Sequence, residues 1–161
     1  MSKPISIIMG SQSDMETLRG AVDVLKDFKV GFDIRVLSAH RTPKDVEKYV
    51  EEASERGTKV FIAAAGGAAA LAGVIASHTT LPVIGIPIET KSLKGLDSLL
   101  STVQMPAGIP VASMAIGSAG AKNAALFALQ ILGTSDKKIR QKMSAYKKDM
   151  RAKILKIKLK V

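Results

Sequence analysis

The chain has 161 residues, 47% of them hydrophobic, which is enough for one domain with a proper core and too apolar for disorder. It contains no cysteine, and this excludes disulfides, thiolate catalysis and cysteine-ligated metal. The net charge of +10 invites a polyanion, yet 4% aromatic residues and no Trp leave little to stack on single-stranded bases.

Pro4 to Met9 reads as a buried first strand, short and rich in Ile. The first ten residues lack the basic start and long apolar core of a secretory signal. No apolar run reaches the about 18 residues of a membrane span, so no membrane partner is expected, and the lack of cysteine is compatible with the reducing cytoplasm expected as its location. Gly10-Ser11-Gln12-Ser13-Asp14 follows, then a helix with Leu18, Ala21, Val22, Leu25 and Phe28 on one face. Ser13 and Glu16 have capping-box spacing and predict that the helix begins at Ser13. Backbone N–H groups at such a start suit a phosphate, while the hydroxyls of Ser11 and Ser13 and the Asp14 carboxylate suit ribose oxygens. A simpler reading makes Ser13 a cap and Asp14 a complement to the helix dipole, but leaves Ser11 without a task.

Phe32 to Leu37 is the second strand, and Ser38-Ala39-His40-Arg41-Thr42-Pro43 turns it into a helix. Thr42 is placed to cap that helix and Pro43 to occupy its first position. His40 exchanges protons near neutral pH and Arg41 holds a fixed charge for phosphate or carboxylate, although the same pair also serves a plain solvated loop. The helix runs to about Arg56, buries Val46, Tyr49, Val50 and Ala53, and stops at Gly57.

Lys59 to Ala64 is the third strand, followed by Ala65-Gly66-Gly67-Ala68-Ala69-Ala70-Leu71-Ala72-Gly73, a stretch almost devoid of side chains. Gly66 and Gly67 permit close approach of a ligand to the backbone, while the alanines are read as tight helix packing. His78 lies near the next helix's end and is assigned no chemistry. Val83 to Ile86 is the fourth strand, with a polar loop through Lys94 long enough to be a lid. A helix from Leu96 to about Gln104, a fifth strand from Val111 to Ala115 and a helix from Ala121 to Leu132 complete the pattern. Strand and helix thus alternate five times, which predicts a parallel three-layer αβα sandwich with its Gly-containing loops gathered at one edge.

From Ser135 onward the chain reads as one more helix, with Ile139, Met143, Tyr146, Met150 and Ile154 forming an apolar seam between basic faces. Residues 137–161 hold 11 of the 24 Lys and Arg and one acid, Asp149, leaving 13 basic and 13 acidic residues elsewhere. The body is neutral, and any nucleic-acid binding belongs to the tail alone. The division expected is a catalytic α/β domain over residues 1–134 and a basic helix over 135–161, packing on the body or on a neighbouring subunit. Ile154 to Val161 is read as frayed or strand-like.

With these pieces placed, the sequence resembles the N5-carboxyaminoimidazole ribonucleotide mutases of de novo purine synthesis. The resemblance runs from about Ile5 to Leu132 and rests on several stretches in order. These are Met9 to Asp14, Ser38 to Pro43, Gly66 to Ala69, Gly95 to Ser101, Val103 to Pro106, Ala115 to Gly117, and Asn123-Ala124. It implies a flavodoxin-like subunit assembled into a homo-octamer, needing no metal, biotin or ATP, acting on a ribonucleotide through transient CO2. It implies that Ser11, Ser13 and Asp14 bind ribose and phosphate, that Arg41 binds the phosphate, and that His40 transfers protons. The loop at Gly66 and Gly67 would line the carboxylate and imidazole pocket, with Ser38, Ala39 and Leu71 completing the substrate-binding set.

Two departures matter. Where those mutases typically read Gly-Gly-Ala-Ala-His-Leu-Pro-Gly, this chain has Ala70 and Ala72 in place of the His and the Pro. The related direct carboxylases, which take free CO2, usually carry Lys at the position of Arg41 and Gly-Arg-Ser at that of Gly66-Gly67-Ala68, and here the chain sides with the mutases. The direct carboxylase is the nearest rival, and a non-catalytic nucleotide-binding module the more distant one.

Overall fold

The computed structural model describes residues 3–159. Strands β1 (Ile5–Met9), β2 (Phe32–Val36), β3 (Val60–Ala65), β4 (Val83–Pro87) and β5 (Ala112–Ser113) form one sheet in the order β2-β1-β3-β4-β5. Every pairing is parallel, and Ile7 of β1 sits level with Ile34 of β2 and Ile62 of β3. Helices α1 (Met15–Asp27), α2 (Pro43–Glu55), α3 (Leu71–Ser77), α4 (Leu96–Val103) and α5 (Ser118–Gly133) follow the strands in turn, and α6 (Lys137–Leu155) comes last. This is the flavodoxin-like three-layer arrangement that the alternation predicts. Two compact units are distinguished, Met1–Ala128 and Leu129–Val161, so that α5 crosses their boundary.

Central strands β1 and β4 are buried along their whole length and β3 at all but its last residue, which is why they read as unbroken apolar runs. The sheet's two faces are read from alternate residues. Ile8, Phe61 and Ala63 pack with Val46, Val50, Leu71 and Ile75, placing α2 and α3 on one face. A Cβ on Gly85 of β4 would collide with Thr102 of α4 and touch Ala72 of α3, so α4 shares that face at very close range. On the opposite face Gly20 of α1 lies against Lys122 of α5. The faces predicted for α1 and α2 are the buried ones, from Leu18 to Phe28 and from Val46 to Ala53.

One polar group crosses this core. Tyr49 of α2 hydrogen-bonds to Ser6 on β1 at 2.9 Å and donates to Asp33 on β2 at 3.3 Å. Burial alone would raise the Asp33 carboxyl, but Arg35, the Ile34 N–H and Lys3 outweigh it and hold the group below the usual carboxylate range. Burial, reinforced by the Asp33 charge, pushes the Tyr49 phenol up.

Several boundaries differ from the sequence reading. The fifth strand has two residues instead of five, because this edge strand pairs only with β4 and only at Ala112 and Ser113. Helix α5 begins at Ser118, three residues earlier than expected. Along α6, Met143 is buried and Ile139 and Tyr146 are half-buried, whereas Met150 and Ile154 stand exposed. Ile157 to Leu159 lie beyond the helix, and Lys160 and Val161 fall outside the described residues.

Candidate active site

In the order β2-β1-β3 the chain leaves β1 in one direction and returns on its other side at β3, so the loops after these strands part and open a crevice at their carboxyl ends. The first loop is a short 3-10 turn, Gln12–Asp14, with Ser11 as its cap. The Ser11 hydroxyl accepts the Ser13 N–H at 3.3 Å and the Ser13 hydroxyl at 2.8 Å, while the Ser11 N–H donates to Asp14 Oδ2 at 3.1 Å. The capping box is therefore Ser11 with Asp14, not Ser13 with Glu16. Gly10 is still tied to the sheet by its N–H on the Ala64 carbonyl, so the turn must start immediately after it. Glu16 pairs with Arg19 instead. Asp14 is 8% exposed, and burial raises its carboxyl above the usual range despite the Ser11 N–H, the Ser13 hydroxyl and the positive charge of Arg41.

The loop after β2 is organised by Ser38. Its hydroxyl accepts the Arg41 N–H at 3.2 Å and Arg41 Nε at 3.3 Å. Thr42 folds back on the same residue, accepting the Ser38 N–H at 2.9 Å and donating to the Ser38 carbonyl at 3.1 Å. Thr42 does stand at the N-cap with Pro43 behind it, but its hydroxyl is spent on Ser38 and caps nothing, contrary to expectation. Arg41 Nη2 reaches across to the Gly10 carbonyl at 2.8 Å, stapling this loop to the first. Two of the five guanidinium N–H groups are thereby used, and the others have no partner among the described residues. His40 is exposed at the mouth of the crevice.

The third loop shows what sequence reasoning missed. Gly67 has φ +70°, a conformation that favours glycine, and nothing lies within 4 Å of where its side chain would be. Its N–H donates to Ser98 Oγ at 2.9 Å, and its carbonyl accepts from Ser101 Oγ at 3.2 Å. Ser98 passes its own proton to the Ile88 carbonyl at 2.7 Å. Gly67 is thus a turn fastened to α4 through Ser98 and Ser101. Ser98 is fully buried in a helix, which is the one local sign of its task. The expected lid is also tied, since Thr90 donates to Asp97 at 2.8 Å and accepts the Gly95 N–H at 3.2 Å.

These loops enclose a cleft of about 360 Å³. Ser11, Asp14, Ser38, Ala39, His40, Arg41, Gly66 and Leu71 line it, together with Gly10, Ala65, Ala68 and Ala70. Of the residues predicted from sequence, Ser13 and Gly67 do not: one backs Ser11 and the other is the turn. Ala70, the position of the first departure noted above, faces the cleft. His78 is far along the chain at the end of α3, its Nδ1 3.7 Å from Glu47. Among the described residues no cluster of three His, Asp or Glu side chains is arranged to hold a metal ion, and no helix is long and apolar enough to cross a membrane. The cleft can hold an anion at Arg41, hydroxyl groups at Ser11 and Asp14, and a planar group over the alanine and glycine wall.

Comparison with known proteins agrees on one family. Residues 4–153 match the family model described as AIR carboxylase. A Saccharolobus solfataricus protein named N5-carboxyaminoimidazole ribonucleotide mutase is 54% identical over 96% of this chain and 97% of its own length. A Bacillus subtilis protein of the same name is 50% identical over 96% of both. The crystal structure of Treponema denticola PurE superposes with a TM-score of 0.85 at 32% identity, covering 94% of this chain and 93% of that one.

Proposed function

Because the chain belongs to the AIR carboxylase family, we propose that it is an N5-carboxyaminoimidazole ribonucleotide mutase, producing 4-carboxy-5-aminoimidazole ribonucleotide in purine biosynthesis. The observation that carries this reading is identity of 54% and 50%, over 96% of the chain, to proteins bearing that name. The cleft supports it by supplying a group for each demand of the reaction.

The reaction moves a carboxylate from the exocyclic nitrogen to a ring carbon. Arg41 takes the phosphate with its unused N–H groups, and Ser11 and Asp14 take the ribose edge, with Ser13 holding Ser11 in place. Ser38 and Ala39 shape the floor beneath the nucleotide. His40, as imidazolium, gives its proton to the nitrogen as the C–N bond breaks and CO2 departs. The aminoimidazole, electron-rich like an enamine, then adds its ring carbon to CO2, and neutral His40 removes the proton from that carbon. Proton and carboxylate are both conserved, so the net change is an isomerisation. Gly66 and the wall of Ala68, Ala70 and Leu71 hold CO2 beside the ring without bulk. The chain has two histidines, and with Ala70 in the cleft and His78 at the end of α3, one imidazole serves both transfers.

Recapture of CO2 requires a site closed to solvent. The cleft of a single chain leaves His40 exposed, which favours closure by neighbouring copies, and the assembly read here is a homo-octamer in the cytoplasm. The test supplies N5-carboxyaminoimidazole ribonucleotide with a 13C-labelled carboxylate and no bicarbonate. Product retaining the label is expected. Activity confined to aminoimidazole ribonucleotide with bicarbonate would make the protein a direct carboxylase instead.

A further inference from the structure

A second groove, of about 790 Å³, lies at the other end of the sheet, where α2 and α3 finish and the chain enters β4 and β5. Its lining mixes the apolar Leu81, Ile109 and Pro110 with hydroxyls such as Thr79 and Thr80, and it includes the exposed carboxylates of Glu51 and Glu55. Among the described residues neither carboxylate has a cationic partner, whereas their neighbour Glu52 pairs with Arg56 and Glu47 faces His78.

The C-terminal segment has the complementary character. Ile154, Leu155, Ile157 and Leu159 are 67, 65, 63 and 83% exposed, more than is usual for four aliphatic side chains so close together. Lys156 and Lys158 lie between them and Lys153 just before, and the three pair with no acid among the described residues. Lys156 closes α6 in a helical turn with its N–H on the Ala152 carbonyl, and Ile157, Lys158 and Leu159 follow outside any helix or strand. Aliphatic side chains interspersed with lysines call for a surface that offers both apolar contact and carboxylates, and a polyanion would leave the aliphatic residues unserved.

We infer that the C-terminal segment of a second copy of this chain occupies the groove, its aliphatic residues on Leu81, Ile109 and Pro110 and its lysines at Glu51 and Glu55. The inference rests on the assembled state proposed above and names one of its contacts. Two copies can satisfy each other, each donating a tail and receiving one.

The test uses the full-length protein, half of it 15N-labelled, mixed and reassembled, then treated with a carbodiimide that joins amine to carboxylate without a spacer. Mixed-isotope links from Lys153, Lys156 or Lys158 to Glu51 or Glu55 are expected. The pair Glu51→Lys and Glu55→Lys removes them and lets chymotrypsin cut the tail at Leu155 or Leu159 about ten-fold faster, and adding Lys156→Glu with Lys158→Glu, which leaves both leucines in place, restores protection. An assembled protein whose tail links elsewhere, or is indifferent to the reversal, overturns the groove assignment alone. A monomer by light scattering overturns the assembly and the inference with it. A tail shielded only when phosphatidylserine vesicles are added overturns it in favour of a lipid surface.

Discussion

Two aspartates in this molecule sit in hydrogen-bonded clusters and are shifted in opposite directions. Asp33, on the flank of the sheet, is served by Tyr49, Lys3 and Arg35, and its charge is more than compensated. Asp14, at the mouth of the sheet, has a backbone N–H, one hydroxyl and a cation that bonds elsewhere, and its charge is under-compensated. The first cluster is complete and joins three elements. The second is left short of partners, which agrees with the ligand-binding role proposed for it.

Substitutions should therefore separate cleanly between the two. The largest effect falls on His40, beside the second cluster: His40→Asn should lower turnover by about 100- to 10,000-fold with an unchanged unfolding curve. Near-normal turnover would remove it from proton transfer. Tyr49→Phe is the mirror case, leaving the buried Ser6 hydroxyl without its partner and lowering stability by about 1–3 kcal/mol in urea titrations, with kcat intact. Arg41→Lys should weaken substrate binding about ten-fold, since a point charge replaces a fork already braced by Ser38 and Gly10. Calorimetry showing unchanged affinity would exclude Arg41 as the phosphate clamp.

The smallest effect is the most diagnostic. The folded-state pKa of Asp14 is raised, so its favourable contribution is complete below the ordinary carboxylate pKa and is lost as pH rises through the folded value. Asp14→Asn should then be as stable as the parent at pH 7 or more so, by about 1–3 °C, while losing substrate affinity. Asp33 runs the other way: its contribution is present above the ordinary carboxylate pKa and is lost as pH falls through the lowered folded value. Asp33→Asn should be less stable at pH 7 and approach the parent in acid. Melting curves from pH 3 to 7 that slope alike for both variants would dissolve the distinction.

Much of the fold is legible in the sequence because its signals are local. Apolar runs mark the central strands, and spacings of three and four mark the inner faces of α1 and α2. The turn at His40 and Arg41 is legible for the same reason, since strand, turn and proline adjoin. The capping box is not, because Ser11-Asp14 and Ser13-Glu16 share one spacing and the choice is made by the bond from Gly10 to β3. The hold on Gly67 is invisible locally, as Ser98 lies 31 residues away. Ala70 lies in the cleft, but no spacing announces what a missing side chain would have done.

The bonds of α4 carry a kinetic consequence. A loop that flaps shut needs at least one slack end, yet residues 88–95 are pinned through Thr90, Gly95 and Asp97, and Ser98 and Ser101 fasten α4 to Gly67. Loop, helix and glycine turn are geared together, so the wall of the cleft advances or withdraws as a block. Amide exchange at Gly67 and Gly95 should therefore follow one opening rate, and substrate should slow both to the same degree.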